Sequence, residues 1–197
     1  MVSELRSSFD SLTTPKVSRR SQQQFLRFHL EPDTEAMIPV SQLSEVLTIA
    51  LGQIVPIPHL PPWVLGVYNW RGEILWMVDL GHLLGLTPWY QQSTRRSHYR
   101  TIILNGEVGY HEKQKKSGFK SQDRNQMLGL VVSQVEDIEW CNPDDIQSPP
   151  TASVSAKLIP YLRGFWVKPN GDIISTLDGQ STVSYTHLRA HETKANL

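Results

Sequence analysis

The sequence predicts a mostly β protein of two similar lobes, each a small and partly closed barrel of about five strands. Three observations lead to this prediction: an internal repeat, turn signals between β-rich runs, and one strand that is apolar on both of its faces. The 197 residues suffice for one domain of ordinary size or for two small lobes that share a core.

The internal repeat has two elements, which follow in the same order in each half of the chain. The first is the segment 40–46, with the sequence VSQLSEV, which recurs at 132–138 as VSQVEDI. The second is the segment 66–79, GVYNWRGEILWMVD, which recurs at 164–178 as GFWVKPNGDIISTLD. Because a duplicated unit constrains architecture more than single-residue propensities do, we expect the two halves to fold alike.

The first repeated element is interpreted as a strand that runs into a short helical turn. Ser41 can cap this turn, and Leu43 and Val46 lie three residues apart, on one face of a helix. Val135 and Ile138 keep the same spacing in the second copy. The predicted short helices are 41–46, 133–138 and 80–84.

The second repeated element is predicted to form a β-hairpin. The Asn-Gly pair at 170–171 is a strong turn signal, and the Arg-Gly pair at 71–72 is a moderate one. The run 73–80 is apolar on both strand faces, which predicts a strand covered on both sides at a junction between lobes. Asp79 and Asp178 end equivalent strands, where we expect each carboxylate to cap the following helix rather than to act in catalysis.

The predicted domain covers residues 23–182, with one lobe at about 23–90 and the other at about 99–182. Residues 1–22 are rich in Ser, Thr, Arg and Lys, and we expect them to form a disordered leader. Apolar patterning stops near residue 183, and the tail 184–197 resembles non-native cloning sequence.

A polar stretch at 105–126 interrupts the second half of the chain. It carries several lysines and cannot bury apolar surface, so it is predicted to be a long loop between strands at 100–104 and 127–132. Its mild positive charge leaves contact with a partner possible, although a solvated loop is the simpler interpretation.

Composition argues against several functional classes. The chain has 19 basic and 19 acidic side chains, so a nucleic-acid or membrane surface is not the expected partner. Cys141 is the only cysteine, which excludes an internal disulfide, a cysteine-based zinc site and an iron–sulfur cluster. No apolar run approaches the roughly 20 residues that span a bilayer, and residues 1–20 lack the apolar stretch of a signal peptide, so a cytoplasmic protein is expected.

Motifs for catalysis, metals and cofactors are missing from the sequence. It contains no Gly-rich phosphate loop, no Gly-x-Ser-x-Gly elbow and no His-Glu-x-x-His pair. His187 and His191 stand four residues apart, but no third ligand lies near them. We therefore expect no cofactor, no metal site and no enzymatic activity, and we favour a binding module.

The segment 60–80, LPPWVLGVYNWRGEILWMVDL, resembles the characteristic segment of CheW-like coupling domains. The shared pattern is Pro-x-x-(apolar)-x-Gly-(apolar)-x-Asn-x-Arg-Gly, followed by a strand that ends in Asp-Leu. The resemblance extends over about residues 23–182. It implies two SH3-like five-stranded β-barrels that form a non-enzymatic adaptor. Such an adaptor binds the cytoplasmic hairpin tip of a methyl-accepting chemoreceptor at the groove between its lobes, and a CheA-type histidine kinase elsewhere.

The resemblance also implies a set of receptor-facing residues, but it isolates no kinase-docking residues. By similarity, the receptor-facing positions are Leu43, Glu45, Gly66, Asn69, Arg71 and Gly72. Arg71 is the strongest candidate, because a guanidinium at a hairpin tip can brace the turn or bond to a partner helix. The chain departs from the family at Ser133, where an acidic residue is usual, and in the length of the loop 105–126.

Two alternatives to this adaptor stay open. The chain could be the CheW-like portion of a larger signalling fusion protein. It could also be a small β-barrel that binds nucleic acid through its basic loop, although the balanced charge argues against this. Chemotaxis, phototaxis and pilus motility are equally plausible pathways for the adaptor.

Overall fold

The structure is a computed structural model that describes residues 22–92, 97–105, 127–148, 157–168 and 170–184. The predicted leader up to residue 21, the inner part of the predicted loop and the tail from residue 185 onward lie outside the described residues. His187 and His191 lie outside them too.

Ten β-strands and two short α-helices make up most of the regular structure in the described ranges. The strands are β1 (Gln23–Leu30), β2 (Thr34–Pro39), β3 (Leu43–Ala50), β4 (Val64–Trp70), β5 (Glu73–Asp79), β6 (His98–Leu104), β7 (Met127–Val132), β8 (Gln134–Cys141), β9 (Leu162–Val167) and β10 (Ile173–Leu177). The helix α1 is Leu80–Leu83, and residues 179–184 are also helical.

The strands form two five-stranded sheets. Sheet A has the order β8-β1-β2-β10-β9, and sheet B has the order β3-β6-β7-β5-β4. Each sheet has one parallel pair, β2 with β10 in sheet A and β5 with β7 in sheet B, and the other neighbours are antiparallel. The predicted mostly β class with two five-stranded units is confirmed.

The two sheets have the same arrangement of strands, but each sheet contains strands from both copies of the internal repeat. Strands β1–β5 correspond in order and pairing to β6–β10. Yet β1 and β2 join β8–β10 in sheet A, while β6 and β7 join β3–β5 in sheet B. The predicted division into continuous lobes at 23–90 and 99–182 is therefore not the division between the sheets.

The exchange of strands between the two copies has a physical reason in the repeat itself. Because the two copies are alike, each strand has an equivalent partner in either copy, and local patterning cannot choose between them. A three-residue 3₁₀ turn, Val40–Gln42, carries the chain from sheet A to sheet B. Gln42 anchors this crossing, since its Oε1 accepts a hydrogen bond from the backbone N–H of Gly179 at 2.8 Å.

Two of the three predicted short helices are wrong. The segments 41–46 and 133–138 lie largely in β3 and β8, and the 3₁₀ turn before β3 receives no side-chain cap from Ser41. Apolar residues three apart also fit a strand when one of them faces solvent, as Val46 does at 40% exposure. The predicted helix at 80–84 is confirmed as α1.

Both predicted hairpins and both predicted caps are confirmed. Strands β4 and β5 pair across the turn at 71–72, and β9 and β10 pair across the turn at 170–171. Asp79 Oδ1 accepts from the backbone N–H of His82 at 3.1 Å, and Asp178 Oδ1 accepts from that of Gln180 at 2.9 Å. Each carboxylate thus begins a helix, because it satisfies an N–H that has no partner within the helix.

The largest apolar cluster joins the two sheets. From sheet A it takes residues such as Phe28 and Ile38, and from sheet B residues such as Val78 and Ile102, all fully buried. A second cluster belongs to sheet B alone and includes Leu75 and Met77. Strand β5 therefore contributes to two clusters through its opposite faces, as predicted for a strand covered on both sides.

The first residues of β5 depart from that prediction. Ile74 is 66% exposed although it lies on the apolar run 73–80. Its register partner in β4 is Asn69, next to the turn, where the hairpin extends beyond the packed part of the sheet.

We expect the two sheets to unfold together in one transition. Because each sheet draws strands from both repeats and the main cluster spans both sheets, neither sheet can lose its structure alone. Urea unfolding should give coincident curves by far-ultraviolet circular dichroism and by tryptophan fluorescence. Two separated transitions would show instead that the sheets are independent units.

Glu136 on β8 lies against a histidine and an arginine of the neighbouring strand β1. Its Oε2 is 2.5 Å from Nη2 of Arg27, and its Oε1 contacts Nε2 of His29. Burial acts to raise the pKa of Glu136, but the hydrogen bonds and charges of His29 and Arg27 outweigh it and lower the pKa below its usual value. The fold therefore favours the ionised carboxylate.

We expect Glu136→Gln to make the stability of the protein less sensitive to acid. Because the folded-state pKa is lowered, the carboxylate contributes stability that is fully present above its unfolded-state pKa and lost as the pH falls through the folded-state value. Urea unfolding from about pH 6 to about pH 3 should show a smaller loss of unfolding free energy in the variant. Glu73→Gln, at an exposed position, is the control. Equal losses in wild type and Glu136→Gln would contradict the assignment.

Candidate protein-docking site

The β4–β5 hairpin ends in a two-residue turn with an unusual backbone. Arg71 has a φ of 54° and Gly72 a φ of 86°, and positive φ at both central residues is what a type I′ turn requires. Gly72 adopts a positive φ without strain, whereas a residue with a side chain, such as Arg71, rarely adopts one. Asn69 supports the turn, since its Oδ1 accepts a hydrogen bond from the backbone N–H of Gly72 at 3.0 Å.

The carboxylate of Glu45 on β3 accepts hydrogen bonds from two side chains at this turn. Arg71 Nη2 lies 2.9 Å from Glu45 Oε2, and Trp70 Nε1 donates to the same oxygen at 3.2 Å. The guanidinium carbon of Arg71 also lies 4.8 Å from the centre of the Trp70 ring. Since β3 and β4 are the two outer strands of sheet B, these contacts connect the edges of the sheet.

The pair of Arg71 and Glu45 is open to solvent. The Arg71 side chain is 69% exposed and that of Glu45 is 32% exposed. An ion pair at such a surface contributes at most about 1 kcal/mol, because water screens it and two long side chains lose freedom. Its main effect is therefore to hold the guanidinium in one orientation at the surface.

Sheet A has an equivalent contact at the matching place. Lys168 follows β9, and its Nζ lies 3.2 Å from Glu139 Oε1 on β8 and 5.9 Å from the centre of the Trp166 ring. Strands β8 and β9 are the outer strands of sheet A. A cation, an aromatic ring and a carboxylate thus connect the outer strands of both sheets, so bracing is one function of Arg71.

Gly66 lies inside β4, away from the turn, and its role is one of close packing. The backbone of Val55 exchanges hydrogen bonds with that of Val67, with N···O distances of 2.8 and 2.9 Å. A Cβ at position 66 would stand 2.2 Å from the carbonyl oxygen of Val55. Gly164 has the equivalent position in sheet A, where a Cβ would stand 2.4 Å from the carbonyl oxygen of Gln147.

Leu43 is also separate from the turn. It begins β3, two residues before Glu45, and its partly buried side chain packs against the apolar cluster between the sheets. The structure thus brings four of the six predicted residues together at the hairpin tip. These four are Glu45, Asn69, Arg71 and Gly72.

Two apolar side chains complete the surface around the tip. Trp70 contacts both Arg71 and Glu45, and exposed Ile74 lies opposite Asn69 in the β4–β5 register. Trp70 could have been found from the sequence, because it is an aromatic residue directly before the Arg-Gly turn. For Ile74, the apolar run suggested burial, so its exposure could not be inferred.

Other kinds of site concern metal binding, membrane insertion and thiol chemistry. In the described residues, no group of three or more His, Cys, Asp or Glu side chains is arranged to hold a metal ion. Within the same ranges, no helix has the length and apolar character needed to cross a membrane. Cys141 is buried, and burial raises the pKa of its thiol to about 11, which disfavours the reactive thiolate.

Two similar five-stranded sheets, with a braced and exposed hairpin tip on one of them, define a β-sheet module of duplicated design. The model of the CheW-like domain family matches residues 24–186. The chain therefore belongs to the CheW-like family.

Curated relatives and a solved structure agree with this assignment. The chain is 30% identical over 95 residues to "Chemotaxis protein CheW" of Rhizobium meliloti (strain 1021), a match that covers 48% of each protein. It is 32% identical over 101 residues to "Probable chemotaxis protein CheW" of Rhizobium etli, covering 51% of this chain and 50% of that protein. The matched part spans about half the length of these relatives.

The solved structure is that of the scaffolding protein TtCheW from Thermoanaerobacter tengcongensis. It superposes with a TM-score of 0.58 at 18% identity and covers 79% of this chain and 88% of that chain. At this identity the likeness concerns the fold, and it confirms the predicted CheW-like fold.

Proposed function

We propose that this chain is a non-enzymatic cytoplasmic adaptor that couples a methyl-accepting chemoreceptor to a CheA-type histidine kinase. The observation that carries the proposal is the CheW-like domain match over residues 24–186. Chemotaxis is the first pathway to test, because both curated relatives are named as chemotaxis proteins. Phototaxis and pilus motility use the same kind of coupling and stay within the proposal.

The hairpin tip supports a role in binding a receptor. A guanidinium carries five N–H donors, and the bond to Glu45 uses one of those of Arg71. The others can bond to carbonyl or carboxylate oxygens of a helical receptor tip. Exposed Ile74 adds apolar area beside these donors, and such a mixture of Arg and apolar contacts is typical of energetically important interface positions.

Co-purification tests the proposal directly. The tagged full chain is mixed with the cytoplasmic fragment of a candidate receptor and with a candidate kinase from the same cell. We expect each partner to bind alone and all three to form one complex on size-exclusion chromatography. Failure to bind any receptor or kinase of the source cell would reject the adaptor function. A salt-dependent shift of nucleic acid in a gel would favour the nucleic-acid alternative instead.

A further inference from the structure

A cavity of about 510 Å³ opens at one end of sheet B. The last residues of β5 and β7 and the first residues of β6 line it, together with the 3₁₀ turn Trp89–Gln91 and the end of β1. Its volume lies in the range of small-molecule pockets. The hairpin tip lies at the other end of β5, a seven-residue strand of roughly 20 Å, so the cavity is a separate place.

Three aromatic side chains line this cavity. The ring of Trp89 is centred 5.4 Å from the ring of Tyr99 and 6.0 Å from that of Tyr90, with interplanar angles of 82° and 89°. Tyr99 is buried, whereas Tyr90 is 55% exposed and lies at the opening. Rings that are perpendicular to one another can offer their electron-rich faces to one cation, as in sites for ammonium groups.

A buried carboxylate accompanies the three rings. Asp79 is 3% exposed, and its carboxylate accepts backbone hydrogen bonds, at Oδ1 from His82 at 3.1 Å and at Oδ2 from Trp89 at 2.9 Å. A carboxylate has about four acceptor sites, so this group can accept a further donor. In the described part of the chain, no lysine or arginine forms a salt bridge with Asp79. Burial accordingly raises the pKa of this carboxyl group despite its backbone hydrogen bonds.

The hydroxyl group of Tyr99 is another polar group that lines the cavity. Its oxygen is buried and has no hydrogen-bond partner among the described residues. Burial, and to a smaller extent the charge of Asp79, raises the pKa of Tyr99 to about 12, so the hydroxyl stays neutral. A buried polar atom without a partner is unfavourable, and a ligand that bonds to it would remove that cost.

We propose that this cavity binds an organic cation, namely an alkylammonium or guanidinium group on an apolar body. The positive group pairs with the carboxylate of Asp79 and donates a hydrogen bond to the hydroxyl of Tyr99. The apolar body packs against Trp89 and Tyr90. A free amine and the lysine or arginine side chain of a partner protein share this chemistry, and the experiment separates these two sources.

The test titrates two cations into the full chain, with amide chemical shifts in nuclear magnetic resonance as the readout. Phenethylammonium represents a free amine, with 2-phenylethanol as its neutral control of similar shape. Nα-acetylarginine methylamide represents an arginine side chain of a protein. We expect the better of the two cations to bind at least about tenfold more tightly than 2-phenylethanol and to shift the amides of Tyr99, Val131 and Val132. The tighter cation identifies the source.

Substitutions locate the binding and provide a matched control. Tyr90→Leu removes an exposed ring at the opening and should weaken cation binding about fivefold, and Tyr99→Phe removes only the hydroxyl and should also weaken it. Trp140→Leu changes a ring of similar exposure, 56%, on β8 and should leave binding unchanged. Equal binding of cation and alcohol, or equal effects of Tyr90→Leu and Trp140→Leu, would overturn the proposal. No receptor or kinase is present, so the result is independent of the adaptor function.

Discussion

Replacing Gly66 by alanine should lower the free energy of unfolding by about 4 kcal/mol, which would be exceptional for the addition of one methyl group. The added Cβ would stand 2.2 Å from the carbonyl oxygen of Val55 and 2.9 Å from the Cα of Pro56. Because these are backbone atoms, rotation of a side chain cannot relieve the clash. Gly66 also has a φ of 139°, which L-residues rarely adopt.

Three other glycine-to-alanine substitutions separate steric clash from backbone strain. Gly164→Ala should be similarly severe, since its Cβ would stand 2.4 Å from the carbonyl oxygen of Gln147. Gly72→Ala meets open space but has a φ of 86°, so it should cost only about 1 kcal/mol of strain. Gly52→Ala meets open space without positive φ and should change stability by less than about 0.5 kcal/mol.

Urea unfolding monitored by circular dichroism gives the required free energies. The expected order of destabilisation is Gly66→Ala and Gly164→Ala first, then Gly72→Ala, then Gly52→Ala. If Gly66→Ala were as mild as Gly72→Ala, the close backbone contact between Val55 and Val67 would not be a rigid part of the fold.

Arg71→Glu should weaken receptor binding at least thirtyfold, or about 2 kcal/mol, while the protein stays folded. This prediction rests on the proposed adaptor function. The substitution removes the exposed donors of the turn and places a carboxylate beside Glu45, which now lies 2.9 Å from the guanidinium. Because an exposed ion pair contributes at most about 1 kcal/mol, the change in stability should be small.

Two further variants distinguish contact with the receptor from bracing of the sheet. The double variant Glu45→Arg with Arg71→Glu restores an ion pair but reverses the charge at the tip, so binding should stay weak. Lys168→Glu breaks the equivalent brace in sheet A and should leave receptor binding unchanged. Isothermal titration calorimetry with a receptor fragment measures all three. Full recovery in the double variant would assign Arg71 to bracing alone.

The candidate docking site was predictable from the sequence to the extent that it depends on local chemistry. The Arg-Gly pair indicated the turn, and the turn brings Asn69, Arg71 and Gly72 together. Glu45 could be placed near them only through the family resemblance, because the two segments are joined by tertiary contacts. The cavity could not be foreseen at all, since its lining comes from six segments of the chain.

Taken alone, the amino-acid sequence determined the duplicated design, most of the strands other than β3 and β8, the two hairpin turns and the capping roles of Asp79 and Asp178. These features depend on neighbouring residues, namely on turn chemistry and on the alternation of side chains along a strand. The tertiary structure alone decided which copy of the repeat each strand joins, and whether apolar residues such as Ile74 are covered. The reason is that equivalent strands offer equivalent hydrogen bonds and apolar faces, so the choice between partners depends on the packing of the whole chain.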